Sequence, residues 1–294
     1  VFIGLGLDLR STDFHFRWAI KARAADWARK TGLDAGSVES ARWIADLCDA
    51  AGPPLSADRT LGALGGIVAS RIAREFHIGG PSHSISSEET SGLRALQVAV
   101  NALQKRELDV ALAGAVDLNG DLRALLATEA LRAPGDAAIP GEGAACVVLK
   151  RLSDARRDGD RIYSVICDVD TTSAGIKPIE TAETDVGHTG AASGLVSFVK
   201  ANLCLYREII PGHTPQYWVR NRADGPRRAS VSSTGVAGDN LRVVMEGFED
   251  GSIRPARPLP FLKMPEKSEA KNPQLPGRIA FVFPGSGNQF AGMG

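Results

Sequence analysis

The chain has 294 residues, 44% of them hydrophobic, which suffices for the core of one large domain or two smaller ones. Basic and acidic residues each number 34, and this zero net charge argues against nucleic acid or an anionic membrane as the main partner. No apolar run is long enough to span a bilayer, and the N-terminus lacks a signal-peptide pattern, so we expect a cytoplasmic protein without a membrane span.

The first residues, "VFIGLGLDLR", are strand-like and begin without Met, so we expect the chain to start inside a longer polypeptide. The cysteines are Cys48, Cys146, Cys167 and Cys204. Their spacing is not that of a zinc site, and we expect no metal. Cys146 and Cys167 lie in apolar, strand-like segments, which predicts buried, reduced thiols.

The first half of the chain predicts alternating strands and helices. The predicted helices are 17–31, 37–52, 60–78 and 92–108, and the predicted strands are 1–8, 109–117, 143–152 and 161–171, with a turn between the last two strands. Helix 60–78 is rich in glycine and alanine, which would let another backbone approach closely. Helix 92–108 is apolar around most of its circumference, so we place it in the centre of the domain.

The second half repeats this alternation and then changes character. A helix is predicted over 192–209 and a strand, glycine-rich turn and second strand over 227–248. The pattern favours an α/β layered domain over residues 1–248. Residues 249–276 are rich in proline and charge, which is typical of a linker, and 277–294 read as the first strand and turn of a further, truncated domain.

The segment "GGPSHSISSEETSGLRAL", residues 79–96, reads as a strand, a tight turn and a helix start, an arrangement in which many enzymes hold a nucleophile. Here the turn holds Glu88 and Glu89 and no Cys or Ser in an activating context. Adjacent helical positions point about 100° apart, which argues against a carboxylate pair sharing one proton. Glutamate in a first helical turn is also favoured by the helix dipole alone.

Several stretches, taken in order, resemble the ketosynthase family of polyketide and fatty-acid synthases. "GPS" followed by "SEETSGL" resembles the nucleophile motif, in which the family reads T-A-C-S-S-S-L. The other matching stretches are "PGEGAACVVLKRLSDARRDGDRIYSVI" (140–166), "VGHTGAASGLVSFVKANLCL" (186–205) and "SSTGVAGDN" (232–240). The tail, 280–294, resembles the opening of an acyltransferase domain. The resemblance implies a thiolase-like α-β-α-β-α fold, shortened at 119–140, 175–181 and 248–276.

The same resemblance implies the site residues. Glu89 stands at the nucleophile position, His188 at the second catalytic histidine, and Glu183 and Asp185 at the family's Lys and Asn. The oxyanion-type loop holds Gly235, Val236 at the gating Phe position, Gly238 and Asn240. The H-G-T-G-T loop with the first histidine is not found. Residues at the acyltransferase start are Gly285, Ser286, Gly287 and Gln289, without the G-H-S-x-G nucleophile.

The segments "GLGLDLRSTDFHFRWAI" and "FPGSGNQ" look most like those of synthases of polyunsaturated fatty acids. These synthases carry a second, degenerate ketosynthase called a chain-length factor. A carboxylate is a poor acyl acceptor compared with a thiolate, so we expect no condensation by this domain. Without a thiolate partner, a structural role for His188 is favoured over a catalytic one.

Three functions remain open. The chain could pair with an active ketosynthase as a dimer and shape acyl chain length, with helices 60–78 and 92–108 at or near the interface. It could decarboxylate malonyl thioesters to supply a starter, or serve as a scaffold that docks the acyltransferase. In the scaffold alternative the chain holds no acyl ligand. The resemblance implies an acyl carrier protein and a downstream acyltransferase as partners, with acyl substrates carried on phosphopantetheine and no cofactor bound directly.

Overall fold

The structure is a computed structural model that describes residues 1–6, 12–32, 34, 36–118, 122, 125, 126, 130, 139–170, 179, 181–212, 214–236 and 238–249. The helices are α1 (Thr12–Lys30), α2 (Val38–Ala51), α3 (Ala57–Ala63), α4 (Val68–Glu75), α5 (Ser91–Gln104), α6 (Leu152–Arg157), α7 (Glu183–Val186) and α8 (Ser193–Arg207). The strands are β1 (Phe2–Leu5), β2 (His83–Ile85), β3 (Val110–Asp117), β4 (Gly143–Lys150), β5 (Ser164–Asp170), β6 (Ile209–Ile210), β7 (Gln216–Tyr217), β8 (Arg228–Thr234) and β9 (Asn240–Gly247).

Two sheets form the body of the described domain. The first has the order β2-β1-β3-β4, with β1 parallel to both β2 and β3 and β4 antiparallel to β3. The second has the order β5-β9-β8 and is antiparallel throughout. Parallel pairing of β1 with β2 and β3 requires helical crossovers, which the intervening helices α1–α5 supply.

The core lies between the two sheets and is built on α5 and α8. These helices contribute fully buried side chains that meet apolar residues from both sheets, among them Leu93, Leu96, Leu195, Phe198, Ala113, Val243 and Met245. On the other face of the first sheet, Ala69 and Ala73 of α4 pack on Val1 and Ile3. The resulting order of helix, sheet, central helices and sheet confirms the predicted layered α/β fold and the central position of α5.

The predicted helix over 60–78 is wrong as one continuous element. It divides into α3, a short 3-10 helix at Gly65–Ile67 and α4, and Leu64 between them has an extended ψ of 104°. Glycine weakens a helix interior, and this segment contains three glycines. No described atom lies within 4 Å of a Cβ added at Gly62 or Gly66, so close backbone packing is not seen at those positions.

Smaller differences have local causes. Helix α5 ends at Gln104 and not at 108, because Arg106 is left-handed (φ 60°) and the Glu107 N–H donates to the Ala102 carbonyl at 3.0 Å. Val98, assigned by its sequence to the buried circumference, is 39% exposed. The predicted turn after β4 contains α6, and α1 begins at Thr12, five residues before its predicted start.

The prediction for the cysteines is only partly right. All four are free thiols; Cys48 and Cys204 are buried on helices, whereas Cys146 is half-buried and Cys167 is exposed. Both β4 and β5 are edge strands of their sheets, so an apolar strand sequence there does not guarantee burial on both faces. Among the described residues, none of the helices combines the length and the hydrophobicity of a membrane span.

Candidate functional site

The strand–turn–helix segment between β2 and α5 forms a tight elbow, residues 86–92, held by short polar side chains. The Ser91 hydroxyl accepts the Ser87 N–H at 2.8 Å and donates to the Glu88 carbonyl at 2.6 Å. The Thr90 hydroxyl donates to the Ser87 carbonyl at 2.7 Å. Glu88 has a left-handed backbone with φ 49°, which the surrounding hydrogen bonds stabilise against its intrinsic cost.

Both sheets hold this elbow in place. A Cβ added at Gly4 on β1 would lie 2.6 Å from the Ser91 carbonyl carbon, so only glycine lets β1 approach the elbow backbone this closely. From the second sheet, the Ser233 hydroxyl donates to the Glu89 carbonyl at 2.8 Å. The position of Glu89 is therefore set by the packing of both sheets.

Glu88 and Glu89 lie in the turn before α5, and the expectation that they occupy its first helical turn is wrong, because that helix begins at Ser91. Glu88 is exposed and its carboxylate lies beside the glycine loop, 2.9 Å from a Cβ added at Gly235. Glu89 is half-buried, and its Oε2 is buried without a hydrogen-bond partner among the described residues. The two carboxylates face different surroundings.

His188 lies in a loop fixed by its backbone. Its N–H donates to the Ile139 carbonyl at 2.7 Å, and its carbonyl accepts the Gly141 N–H at 2.9 Å. The imidazole Nδ1 accepts the Gly190 N–H at 3.2 Å, and Nε2 lies 3.7 Å from Glu183 Oε1. A neutral ring that accepts at Nδ1 carries its hydrogen at Nε2, so His188 is a hydrogen-bond donor at Nε2.

Asp117, at the end of β3, is a site residue that the sequence reasoning missed. Its Oδ2 accepts the Ala191 N–H at 2.8 Å, at the short 3-10 turn that leads into α8. Burial raises the pKa of Asp117, the Ala191 N–H and the imidazole of His188 lower it, and the negative charge of Glu89 raises it. Asp117 therefore connects the elbow electrostatically to the His188 loop; its signal in the sequence was an acid ending a buried strand.

The glycine loop joins β8 to β9 and packs over the elbow. The Gly235 N–H donates to the Asp239 carbonyl at 2.8 Å, and Gly238 is left-handed with φ 83°. Val236 is half exposed and Asn240 begins β9. The Asp239 carboxylate accepts two hydrogen bonds from Arg94 of α5, at 2.6 and 2.8 Å.

The Arg94–Asp239 ion pair, a second feature missed from the sequence, links the elbow helix to the glycine loop. The Asp239 carboxylate also lies 3.4 Å from the hydroxyls of Ser87 and Thr90. The Arg94 guanidinium, together with these hydroxyls, lowers the pKa of Asp239. In the sequence, the only signal was an acid where the family's glycine-rich loop has Thr.

An Asp239→Asn variant is expected to melt at a lower temperature than the wild-type chain near neutral pH. A carboxylate whose pKa is lower in the folded state stabilises above its unfolded pKa of about 4, and this contribution is lost as the pH falls through the folded pKa. The difference in Tm should therefore shrink below about pH 4. Melting curves from pH 2 to 8, with exposed Asp46→Asn on α2 as control, measure it; a pH-independent difference would contradict this assignment.

The structure places Glu183 beside His188, and Asp117 links the His188 loop to the elbow that holds Glu89. Gly235, Val236, Gly238 and Asn240 lie in the adjoining loop. Gly285, Ser286, Gly287 and Gln289 lie outside the described residues, as does most of the predicted linker. No group of His, Cys, Asp and Glu within the described residues has an arrangement that could hold a metal ion.

Part of the chain is similar in sequence to known proteins. Residues 20–155, which include the elbow, match the family model for the β-ketoacyl synthase N-terminal domain. A phenolphthiocerol/phthiocerol polyketide synthase of Mycobacterium tuberculosis H37Rv is 28% identical over 272 residues, covering 61% of this chain and 18% of that protein. The PKS-NRPS hybrid synthetase acdB of Aspergillus candidus is 28% identical over 284 residues, covering 63% of this chain and 11% of that protein.

Among solved structures, the ketosynthase from module 6 of the bacillaene synthase of Bacillus subtilis 168 superposes with a TM-score of 0.57. It is 23% identical, and the match covers 65% of this chain and 51% of that one. The chain thus spans about half of that ketosynthase and less than a fifth of the curated synthases it matches. Residues 20–155 are therefore similar to the β-ketoacyl synthase N-terminal domain, and the described residues share the thiolase-like fold of solved ketosynthases.

Proposed function

We propose that this chain is a non-condensing ketosynthase-like domain that pairs with an active ketosynthase and helps to set the length of the acyl chain. The observation that carries the proposal is the carboxylate of Glu89 in the elbow, at the position where the family's nucleophile motif has cysteine. A carboxylate is a far weaker acyl acceptor than a thiolate, and the anhydride that it would form is labile.

The sulfur atoms elsewhere in the chain support this proposal. Burial raises the pKa of Cys146 to about 11. Cys167 is an exposed residue, but partial burial of its thiol, together with the charge of Glu246, raises its pKa to about 11. Burial also raises the pKa of Cys204. Thiols with raised pKa values stay protonated near neutral pH and are poor nucleophiles, so these three cysteines do not replace the missing thiolate.

The elbow has nevertheless kept a tightly organised scaffold. Its hydrogen bonds through Ser87, Thr90 and Ser91, the close approach of Gly4, and the Arg94–Asp239 link all preserve its shape. His188 still presents a donor at Nε2, which can hydrogen-bond to a thioester carbonyl. A retained scaffold with one donor suits a domain that holds an acyl chain without reacting with it.

The proposal includes the partners that the family resemblance implies. The acyl group would arrive on the phosphopantetheine arm of an acyl carrier protein, and a downstream acyltransferase would belong to the same synthase. A polyunsaturated fatty acid as product is the specific case suggested by the sequence resemblance. Pairing with a condensing ketosynthase would bring α5, together with the region of α3 and α4, to or near the shared interface.

Reconstitution with an active ketosynthase of the same synthase tests the proposal. With carrier protein and extender supplied, we expect the distribution of product lengths to change when this chain is added, with no acyl group attached to this chain by mass spectrometry. Unchanged product lengths would contradict the chain-length role. Condensation by this chain alone, or a covalent acyl-enzyme on it, would contradict its assignment as non-condensing.

A Val236→Phe variant is expected to shift the products of that reconstitution towards shorter chains. Val236 is 50% exposed on the glycine loop beside the elbow, and the larger phenyl side chain there would reduce the space beside the acyl chain. The matched control is Val219→Phe, at a position that is 84% exposed and lies outside the elbow and the glycine loop. Equal product distributions for both variants would show that the loop does not line the acyl chain.

A further inference from the structure

The site contains three carboxylates and one imidazole. Glu183 Oε1 lies 3.7 Å from the His188 Nε2 atom. Asp117 accepts the N–H of Ala191, three residues after His188, at 2.8 Å, and burial and the charge of Glu89 raise the pKa of Asp117. Glu183 stands where the family resemblance places a lysine, so the charge is reversed at that position.

The site has a single imidazole. Its Nδ1 accepts the Gly190 N–H at 3.2 Å, so Nε2 is the ring nitrogen that can donate to a ligand. The ring therefore offers one donor for a carbonyl oxygen, whereas a ligand anion would meet more carboxylates than cationic groups.

Three groups of the described residues that could receive an anion already have partners. The Ala191 N–H, at the start of the turn leading into α8, donates to Asp117 at 2.8 Å. Lys200 lies 2.7 Å from Asp185, and Arg94 is held by Asp239 at 2.6 Å. A ligand carboxylate entering here would have to displace one of these pairs or lie against a carboxylate of the chain.

Glu89 adds a second, independent observation. Its Oε2 is buried and has no hydrogen-bond partner among the described residues. A buried polar atom without a partner costs free energy, and a ligand that carries an N–H would relieve that cost. The amide groups of a phosphopantetheine arm are such donors, whereas a carboxylate at the same place would add repulsion.

We propose that this site accepts uncharged acyl thioesters and rejects malonyl thioesters, because Glu183 lies beside the donor of His188 and the carboxylates of Asp117 and Glu89 add negative charge to the same site. The inference rests on the proposed function and names the class of acyl group that the domain holds. It also disfavours the malonyl decarboxylase alternative, since that reaction requires the malonyl carboxylate to bind here.

Binding of stable pantetheine amides to the complete 294-residue chain tests the inference. The probes are butyryl-, malonyl- and malonamoyl-pantetheine amide, the last being the malonyl group with its carboxylate converted to an uncharged amide. By calorimetry at neutral pH and low salt, butyryl and malonamoyl probes should bind at least about tenfold more tightly than the malonyl probe. The ratio should fall as salt is added, because salt screens the repulsion.

A Glu183→Lys variant should bind the malonyl probe at least about tenfold more tightly than the wild-type chain. Glu75→Lys is the matched control: it makes the same change of net charge at an exposed position of α4, on the face of the first sheet opposite α5. The control should bind the malonyl probe as the wild type does. Equal gains in both variants would show that only overall charge matters, and would overturn the inference.

Malonyl binding as tight as butyryl binding in the wild-type chain also overturns the inference. If product length still changes in the reconstitution, the proposed function stands without it. Failure of every probe to bind both the wild type and Glu183→Lys overturns the inference together with the acyl-holding role, and favours the scaffold alternative. Discrimination between the probes with unchanged product length would leave the inference standing and remove the chain-length role.

Discussion

A Leu195→Ala variant should lower the free energy of unfolding by about 3 kcal/mol, as expected when a fully buried leucine is truncated in a packed core. Leu195 is completely buried on α8, in the core cluster that also contains Leu93 of α5 and Val243 of β9. Truncation leaves a cavity that these neighbours can fill only in part. Urea unfolding of the complete chain, monitored by circular dichroism, measures the effect through the midpoint at unchanged slope.

Leu203→Ala on the same helix is the matched control. Leu203 is 42% exposed, and its truncation removes the same atoms without opening a buried cavity. We expect its effect to stay below about 1 kcal/mol. Similar losses for both leucines would mean that α8 does not lie between the two sheets.

A Gly92→Ala variant should lower the free energy of unfolding by about 1–3 kcal/mol through overpacking. A Cβ at Gly92 would lie 2.9 Å from Leu195 Cβ, 3.0 Å from Ala115 Cβ and 3.1 Å from the Ala191 carbonyl oxygen. Two of these contacts are with Cβ atoms and one is with the backbone, so no side-chain rotation relieves them. Combining the variant with Leu195→Ala should not rescue it, because alanine keeps the Cβ.

Gly62→Ala in α3 isolates the intrinsic effect of the substitution. No described atom lies within 4 Å of a Cβ added there, and alanine is favoured over glycine in a helix by about 0.5–1 kcal/mol. The control should therefore be neutral or slightly stabilising. Stabilisation by Gly92→Ala to the same extent would contradict the tight crossing of α5 and α8.

This crossing matters for function because it sets the distance between the two halves of the site. Helix α5 begins at the elbow that holds Glu89, and α8 begins just after the loop that holds His188. Gly92 and Gly194 stand near these two starts, and a Cβ at Gly194 would lie 2.8 Å from Leu93 Cγ. The contact of the helices therefore keeps the elbow and the His188 loop close together.

The local pattern of the sequence was sufficient to predict those helices and strands that are buried on one face or on all sides. Helix α5, strand β3, helix α8 and the β8–β9 hairpin all lie close to their predicted positions. In each, the period of the apolar residues reports directly on local backbone conformation. The prediction of one continuous helix over 60–78 was wrong, because the helical spacing of apolar residues continues across a glycine-rich stretch in which the backbone leaves the α-helical conformation.

The family resemblance of the sequence motifs also predicted that Glu89, Glu183 and His188 belong to one site. That Asp117 joins them, and that Arg94 binds Asp239 across 145 positions of the chain, was not visible in the sequence. A single acidic residue in a sequence gives no information about which residue it will contact in the folded protein. Such pairs form where strands and helices distant along the chain end at the same place.

The sequence by itself determined the alternation of strands and helices, the central place of α5 and the carboxylate at the elbow, because each depends on residues close together in the chain. Only the tertiary structure decided which strands lie at the edges, and hence that Cys167 is exposed, and which charges surround His188. Exposure and electrostatics depend on what packs against a residue, and those neighbours come from distant parts of the chain.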